Sequence, residues 1–279
     1  MSRPAGSRTL AIVGCRLFED ELVHVLVDDN DISEVFVVDD QESKDLRQKL
    51  AKKGIHVRIT QVAEAEISRL ERPDGFSVLV WVKPMALHQK PEKLKEDVIG
   101  TVGKLESVSD AVLLFYGLCG NAFRHVDRDT SASQVPVVIL RDEKKQIVDD
   151  CIGCVLGGTD EYLAQLRKSI GTFFLTPMWA ANWRELFHKV QILQDPNDVE
   201  GARYIFKCVG YKKVVKMETG LGDDAEFDER VKEFAQLFDF ELGSVKCTLS
   251  VVESSYEEAK HGALGHASRS AIHPEKGLG

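Results

Sequence analysis

Short apolar runs alternate with amphipathic stretches along most of this chain. Residues 9–15 (TLAIVGC), 34–40 (EVFVVDD), 76–82 (FSVLVWV), 111–115 (AVLLF) and 136–141 (PVVILR) are too short and too uniformly apolar for helices. They read as strands buried on both faces, the signature of a parallel sheet. Residues 55–60, 171–176 and 213–218 read as further strands, and 241–252 as one long strand or two short ones. Between them, residues 16–27, 42–53, 92–105, 159–168, 183–193, 198–208 and 228–238 carry apolar positions at helical spacing, with a short helix over 63–70. Strand–helix alternation of this kind predicts an α/β fold: a mainly parallel, Rossmann-like sheet flanked by helices. Residues 1–253 are expected to form one α/β domain, with two α/β halves sharing a core as the variant. From residue 254 the chain turns polar and Gly/His-rich, which predicts a flexible tail over 254–279.

Three of the buried runs empty into chemistry. Ala111–Phe115 leads into Tyr116, Gly117, Leu118, Cys119, Gly120 and Asn121; residues 9–15 end on Gly14 and Cys15; the strand at 136–141 is followed by Asp149, Asp150, Cys151 and, three residues on, Cys154. In open parallel sheets, ligands bind beyond the carboxyl ends of the strands. Cys15, Cys119 and Cys151 are therefore expected at one edge of the sheet, where three thiolates suit zinc or an iron–sulfur cluster. Cys154 is an alternative ligand, and His88, after the 76–82 strand, is the non-cysteine candidate. Tyr116, Gly117, Gly120 and Asn121 are candidate contacts to the bound cofactor. Trp179 and Trp183 either line a pocket or fill the core. Cys208 and Cys247 are expected to be buried packing residues.

Composition narrows the function classes. A net charge of −9 argues against broad nucleic-acid or anionic-membrane binding. No apolar run reaches the ~20 residues that span a bilayer, and the N-terminal run lacks a signal-peptide cleavage pattern. A cytoplasmic location is expected. Six cysteines in a chain of this size then mean free thiols, metal ligands or redox chemistry rather than a disulfide framework. There is no Gly-Lys-Ser/Thr phosphate loop and no G-x-S-x-G elbow; Thr219-Gly-Leu-Gly222 lacks the third glycine of a dinucleotide fingerprint.

The same residues carry a resemblance. Cys15, Leu87-His88 before Pro91, Tyr116-Gly-Leu-Cys-Gly-Asn121, Asp150-Cys-Ile152, Gly171-Thr-x-x-Leu-Thr-Pro177 with Trp179, and Glu218-Thr-Gly-Leu221 occur in this order over roughly residues 9–252. Together they resemble a bacterial and archaeal family of unknown function whose members often accompany corrinoid-dependent methyltransferases. The resemblance implies a cytoplasmic α/β protein whose recurring cysteines match Cys15, Cys119 and Cys151. It implies a corrinoid protein or methyltransferase as partner, with a corrinoid reached through that partner. A homo-oligomer is compatible with it. The chain departs from the pattern at Asp150, where a histidine is common, and at Met178, where glycine is usual. The leading expectation is a metalloprotein of one-carbon metabolism. The alternatives are a non-catalytic accessory protein for a methyltransferase or corrinoid protein, and thiol redox chemistry by Cys151 and Cys154.

Overall fold

The computed structural model describes residues 6–265. The first half alternates β1 (Ser7–Cys15), α1 (Glu19–Asp28), β2 (Ile32–Val38), α2 (Lys44–Lys52), β3 (Arg58–Val62), β4 (Gly75–Lys83), α3 (Pro91–Leu105), β5 (Ala111–Phe115), the short α4 (Val126–Asp129), β6 (Val137–Ile139) and α5 (Cys151–Leu156). The six strands form one sheet in the order β3-β2-β4-β1-β5-β6, every pair parallel. The central β1 and β4 are buried almost throughout, as expected of strands covered by helices on both faces. One face packs against α1, α2 and the last described helix through Leu22, Leu26, Leu46 and Leu50. The other packs against α3 through Leu94, Val98, Val102 and Leu105.

After α5 the chain builds a second, smaller layer. Its elements are α6 (Thr159–Lys168), β7 (Thr172–Leu175), α7 (Pro177–Lys189), α8 (Val199–Val209), β8 (Lys213–Glu218), α9 (Asp224–Phe238) and β9 (Glu241–Lys246). The three strands form a parallel sheet of order β7-β8-β9. Its own core is aromatic, with Phe173, Trp183, Phe206, Phe234 and Phe238 edge-to-face or stacked. Two apolar clusters bridge the sheets. Ile152, Val155 and Leu156 of α5 meet Phe174, Val215 and Met217, while Leu17 and Met85 meet Met178, Leu186 and Val190.

The largest departure from the sequence reading lies at the C-terminus. The 241–252 segment is not all strand: β9 stops at Lys246, and α10 (Ser250–Leu264) follows. The expected flexible tail is thereby corrected over residues 254–264, which are helical; residues 266–279 lie outside the described residues. α10 returns to the six-stranded sheet, burying Val252, Tyr256, Ala259 and Ala263 at helical spacing. Small and polar residues on that face hid the pattern. A buried polar clamp holds it. Tyr256 Oη donates to Asp29 Oδ2 at 2.7 Å, and Lys260 Nζ lies 2.8 Å from both Asp29 Oδ1 and Asp31 Oδ2. At the other correction, α7 begins at Pro177 rather than 183, because Pro occupies its first position and Thr176 Oγ1 accepts from Trp179 N at 3.2 Å.

Truncation after Thr248 removes α10 and opens one face of the sheet, so the shortened chain is expected to lose its cooperative thermal transition by circular dichroism. Lys260→Met leaves the Asp29 carboxylate buried without its cation and is expected to cost about 3 kcal/mol in urea denaturation.

Candidate functional site

Parallel pairing carries the exits of β1, β4, β5 and β6 to one edge. Cys15 is the last residue of β1. The 3-10 turn Leu87–Gln89 after β4 carries His88, the loop after β5 carries Cys119, and the return from β6 delivers Cys151 as the first residue of α5. Two backbone hydrogen bonds zip the last two segments together: Leu118 N to Val148 O at 2.7 Å and Cys119 N to Asp149 O at 2.9 Å. Gly117 makes this approach possible, since a Cβ there would stand 2.4 Å from Val148 O. Cys119 itself sits at φ 46°, in the left-handed region that a non-glycine residue rarely occupies. The Asp150 carboxylate caps α5, accepting from Ile152 N and Gly153 N at 2.9 Å each. Gln89 Nε2 donates to Val190 O at 2.8 Å and ties the His88 turn to the end of α7.

These segments enclose a cavity of about 130 Å³ lined by Cys15, Cys119, Cys151 and His88, with Gly120, Leu17, Phe18, Asp149, Asp150 and Trp179 completing the wall. The Trp179 indole N–H donates to Cys151 Sγ at 3.3 Å. Burial pushes the Cys15 thiol up to about 11, and Glu42 adds to the rise, while the Leu17 N–H and Lys189 oppose it. Burial also lifts Cys119 and Cys151 well above the ordinary thiol range, and their thiol neighbours and the Asp150 carboxylate lift them further. Burial holds His88 below its usual value and Asp150 above its own. At neutral pH the cavity therefore presents three protonated thiols and a neutral imidazole: a soft, uncharged donor set with no cation installed among the thiols. Among the described residues, no three His, Cys, Asp or Glu side chains are placed to hold a metal ion directly.

The remaining sequence candidates fall elsewhere. Cys154 is not on the cavity wall; one turn further along α5, it is fully buried against the six-stranded sheet. Gly117 faces the Val148 carbonyl, where the missing side chain permits the close backbone approach. Asn121 is exposed, in a left-handed turn whose carbonyl accepts from Arg124 N. Tyr116 lies beneath the loop, buried. Trp179 lines the cavity while Trp183 fills the aromatic core. Cys208 is exposed, correcting its expected burial: Ala202 and Phe206 take the inner face of α8, and a residue two positions on points away. Cys247, one residue past β9, packs in the cluster that joins the sheets.

Sequence reading missed Leu17 and Phe18, which wall the cavity from the 3-10 turn Arg16–Phe18. It also missed Glu21. This carboxyl is buried with Oε2 unpartnered, and burial, helped by Asp20, pushes it up to about 8. Its position in α1, among acids that otherwise read as a helix start, concealed it. Two clefts of about 520 Å³ each lie against α1 and α2, one facing α7 and α9 and the other the loop between β8 and α9. The cation at their floor is already engaged: Lys49 Nζ lies 2.7 Å from Glu19 Oε1 and 2.6 Å from Asp20 Oδ1.

The family described as proteins of unknown function, DUF1638, matches residues 82–256 of this chain, well over half of it. The chain belongs to that family. The matched stretch contains His88, Cys119 and Cys151, and Cys15 precedes it. A comparison with curated proteins finds no match. Among the described residues, no helix is long and apolar enough to cross a membrane.

Gly117→Ala is expected to separate the two zipped segments, lowering stability by about 1–3 kcal/mol and exposing Cys119 and Cys151 to faster alkylation by a maleimide. Glu21, protonated in the fold and ionised in the unfolded chain between pH 4.5 and about 8, withdraws stability as pH rises through that window. Glu21→Gln is therefore expected to raise the Tm relative to the parent by roughly 3 °C or more at pH 8.5. The gain should vanish near pH 4.5; a pH series of melts checks both ends.

Proposed function

We propose that the chain is a thiolate-ligated metalloprotein in which Cys15, Cys119 and Cys151 take zinc or an iron–sulfur cluster, with His88 beside them. The supporting observation is the meeting of three thiols and an imidazole, brought by four separate segments, in one small cavity. Solvated loop cysteines would not need the Gly117 approach, the left-handed Cys119 or the Asp150 cap to meet there. The donor types fit a soft metal. Cys15, Cys119 and Cys151 would hold the metal, with His88 on the same wall. Once bound, zinc supplies a Lewis acid that lowers the pKa of a coordinated thiol, whereas a cluster supplies an electron.

The chain's own groups do the rest. Each thiol gives up its proton as it becomes a ligand. The Trp179 N–H is already aimed at Cys151 Sγ and gains strength when that sulfur turns anionic. Neutral His88 has a lone pair free for a ligand without first losing a proton. Leu17 and Phe18 give the sulfurs an apolar wall. The setting we propose is corrinoid-dependent methyl transfer, with a corrinoid protein or methyltransferase as partner, on the strength of the motif resemblance.

Anaerobically purified protein is expected to carry zinc or iron by elemental analysis, iron being accompanied by broad visible absorption. Cys119→Ser should lose that metal yet keep its far-ultraviolet circular dichroism, because β5 beneath it is held by apolar burial. Since all three thiols are protonated below their raised pKa values, log affinity for zinc should climb by about 3 per pH unit between pH 6.5 and 8. A slope near zero in a competition titration would remove the thiols from the ligand set.

A further inference from the structure

We propose that the Tyr116 hydroxyl is a positioning group for this site, donating a hydrogen bond to the Cys15 or Cys119 sulfur once that sulfur is a metal-bound thiolate; the inference rests on the metal–thiolate reading above. Its starting point is a polar atom with nothing to do. Tyr116 is 2 % exposed, and its Oη is buried with no hydrogen-bond partner. Buried tyrosine hydroxyls ordinarily find partners, and one without carries a desolvation penalty that phenylalanine would avoid. The rest of the ring is plain packing: it leans on Phe123 at 5.2 Å between centroids, inside the apolar cluster under α3. Nothing in that surrounding asks for an oxygen.

The sheet register says what does. β1 and β5 pair in parallel with Gly14 opposite Phe115, so the next residues along, Cys15 and Tyr116, leave the sheet side by side. Residues opposite one another in adjacent parallel strands share a face. Cys15 and Cys119 both pack against the cluster that contains Tyr116. Burial pushes the pKa of the phenol up, and Cys15, Cys119 and Asp97 push it the same way, Asp97 itself being held by Lys83 at 3.2 Å. A thiol is a poor acceptor, so in the metal-free protein the hydroxyl gains little from its neighbours. A thiolate is an ionised acceptor, and the same hydroxyl then makes a charge-assisted bond. The cost is carried in the free state and recovered in the loaded one, which makes Tyr116 a term in metal affinity rather than in folding.

That difference gives Tyr116→Phe opposite effects in the two states. The test uses the full-length protein, parent and Y116F, stripped of metal and titrated anaerobically with cobalt(II), a probe whose sulfur-to-metal charge-transfer band reports thiolate ligation. Metal-free Y116F is expected to melt at or above the parent temperature. Its cobalt affinity should fall 10- to 100-fold, the range found when a group that orients a metal ligand is removed. Its charge-transfer band should move to longer wavelength, because a sulfur without the hydrogen bond gives up its electron more easily. Equal affinity and an unmoved band would overturn the proposal. So would a metal-free Y116F that melts several degrees below the parent, since the hydroxyl would then already be satisfied. If the parent shows no thiolate band with cobalt, the metal reading itself fails, and this inference with it.

Discussion

Two backbone hydrogen bonds, Leu118 N to Val148 O and Cys119 N to Asp149 O, join the segments that leave β5 and β6. They tie the β5 exit to the segment that returns after the turn following β6, where Arg141 and Ile147 bridge antiparallel, and much of the local structure depends on that tie. It requires a residue without a side chain at 117, and it turns Cys119 into the left-handed region. It brings Asp149 beside the Cys119 loop, which leaves Asp150 to cap α5 and Cys151 to open it. α5 then packs its Ile152, Val155 and Leu156 against the second sheet. The same few residues thus close the cavity and anchor the second layer.

Charge is distributed unevenly around that cavity. The donors inside are neutral at rest because burial disfavours each thiolate, and the pull of Lys189 on Cys15 does not offset it. Just outside, Arg16 reaches Asp45 at 2.7 Å, Glu42 at 3.5 Å and Glu185 at 3.7 Å, and Lys189 lies 2.8 Å from Glu185. This network links the residue after Cys15 to α7 of the second layer. Arg16 and Lys189 both bridge Glu42 and Glu185, so the network fastens the two layers, and of its cations Lys189 opposes the rise of the Cys15 thiol without outweighing burial. On the proposed reading, a cation entering there would favour the ionisation of three thiols, so that metal entry is coupled to proton loss.

The apolar pattern made the first sheet legible because buried parallel strands are unbroken apolar runs, and parallel strands send their exits to one edge. From those two facts Cys15, Cys119, Cys151 and His88 could be placed together, although 136 positions separate Cys15 from Cys151. Trp179 was readable only as one of two choices. Cys154 and Cys208 were misplaced for a common reason: on a helix, burial depends on which face the neighbours cover, and spacing alone does not name the neighbours.

Alone, then, the order of residues determined the α/β class, the strand exits that bear chemistry, and glycine at the positions of closest approach. Tertiary structure decided the rest. Strand pairing is a long-range choice, so only the folded chain divides nine strands, counted among the described residues, into a sheet of six and a sheet of three. Only the fold returns α10 to the first sheet, where Asp29 waits for Tyr256 and Lys260 across more than two hundred residues. And only the fold leaves a tyrosine oxygen unpartnered in the cluster against which two of the thiols pack, because a hydroxyl's partners are set by what the surrounding elements place within its reach, not by the residues beside it in the chain.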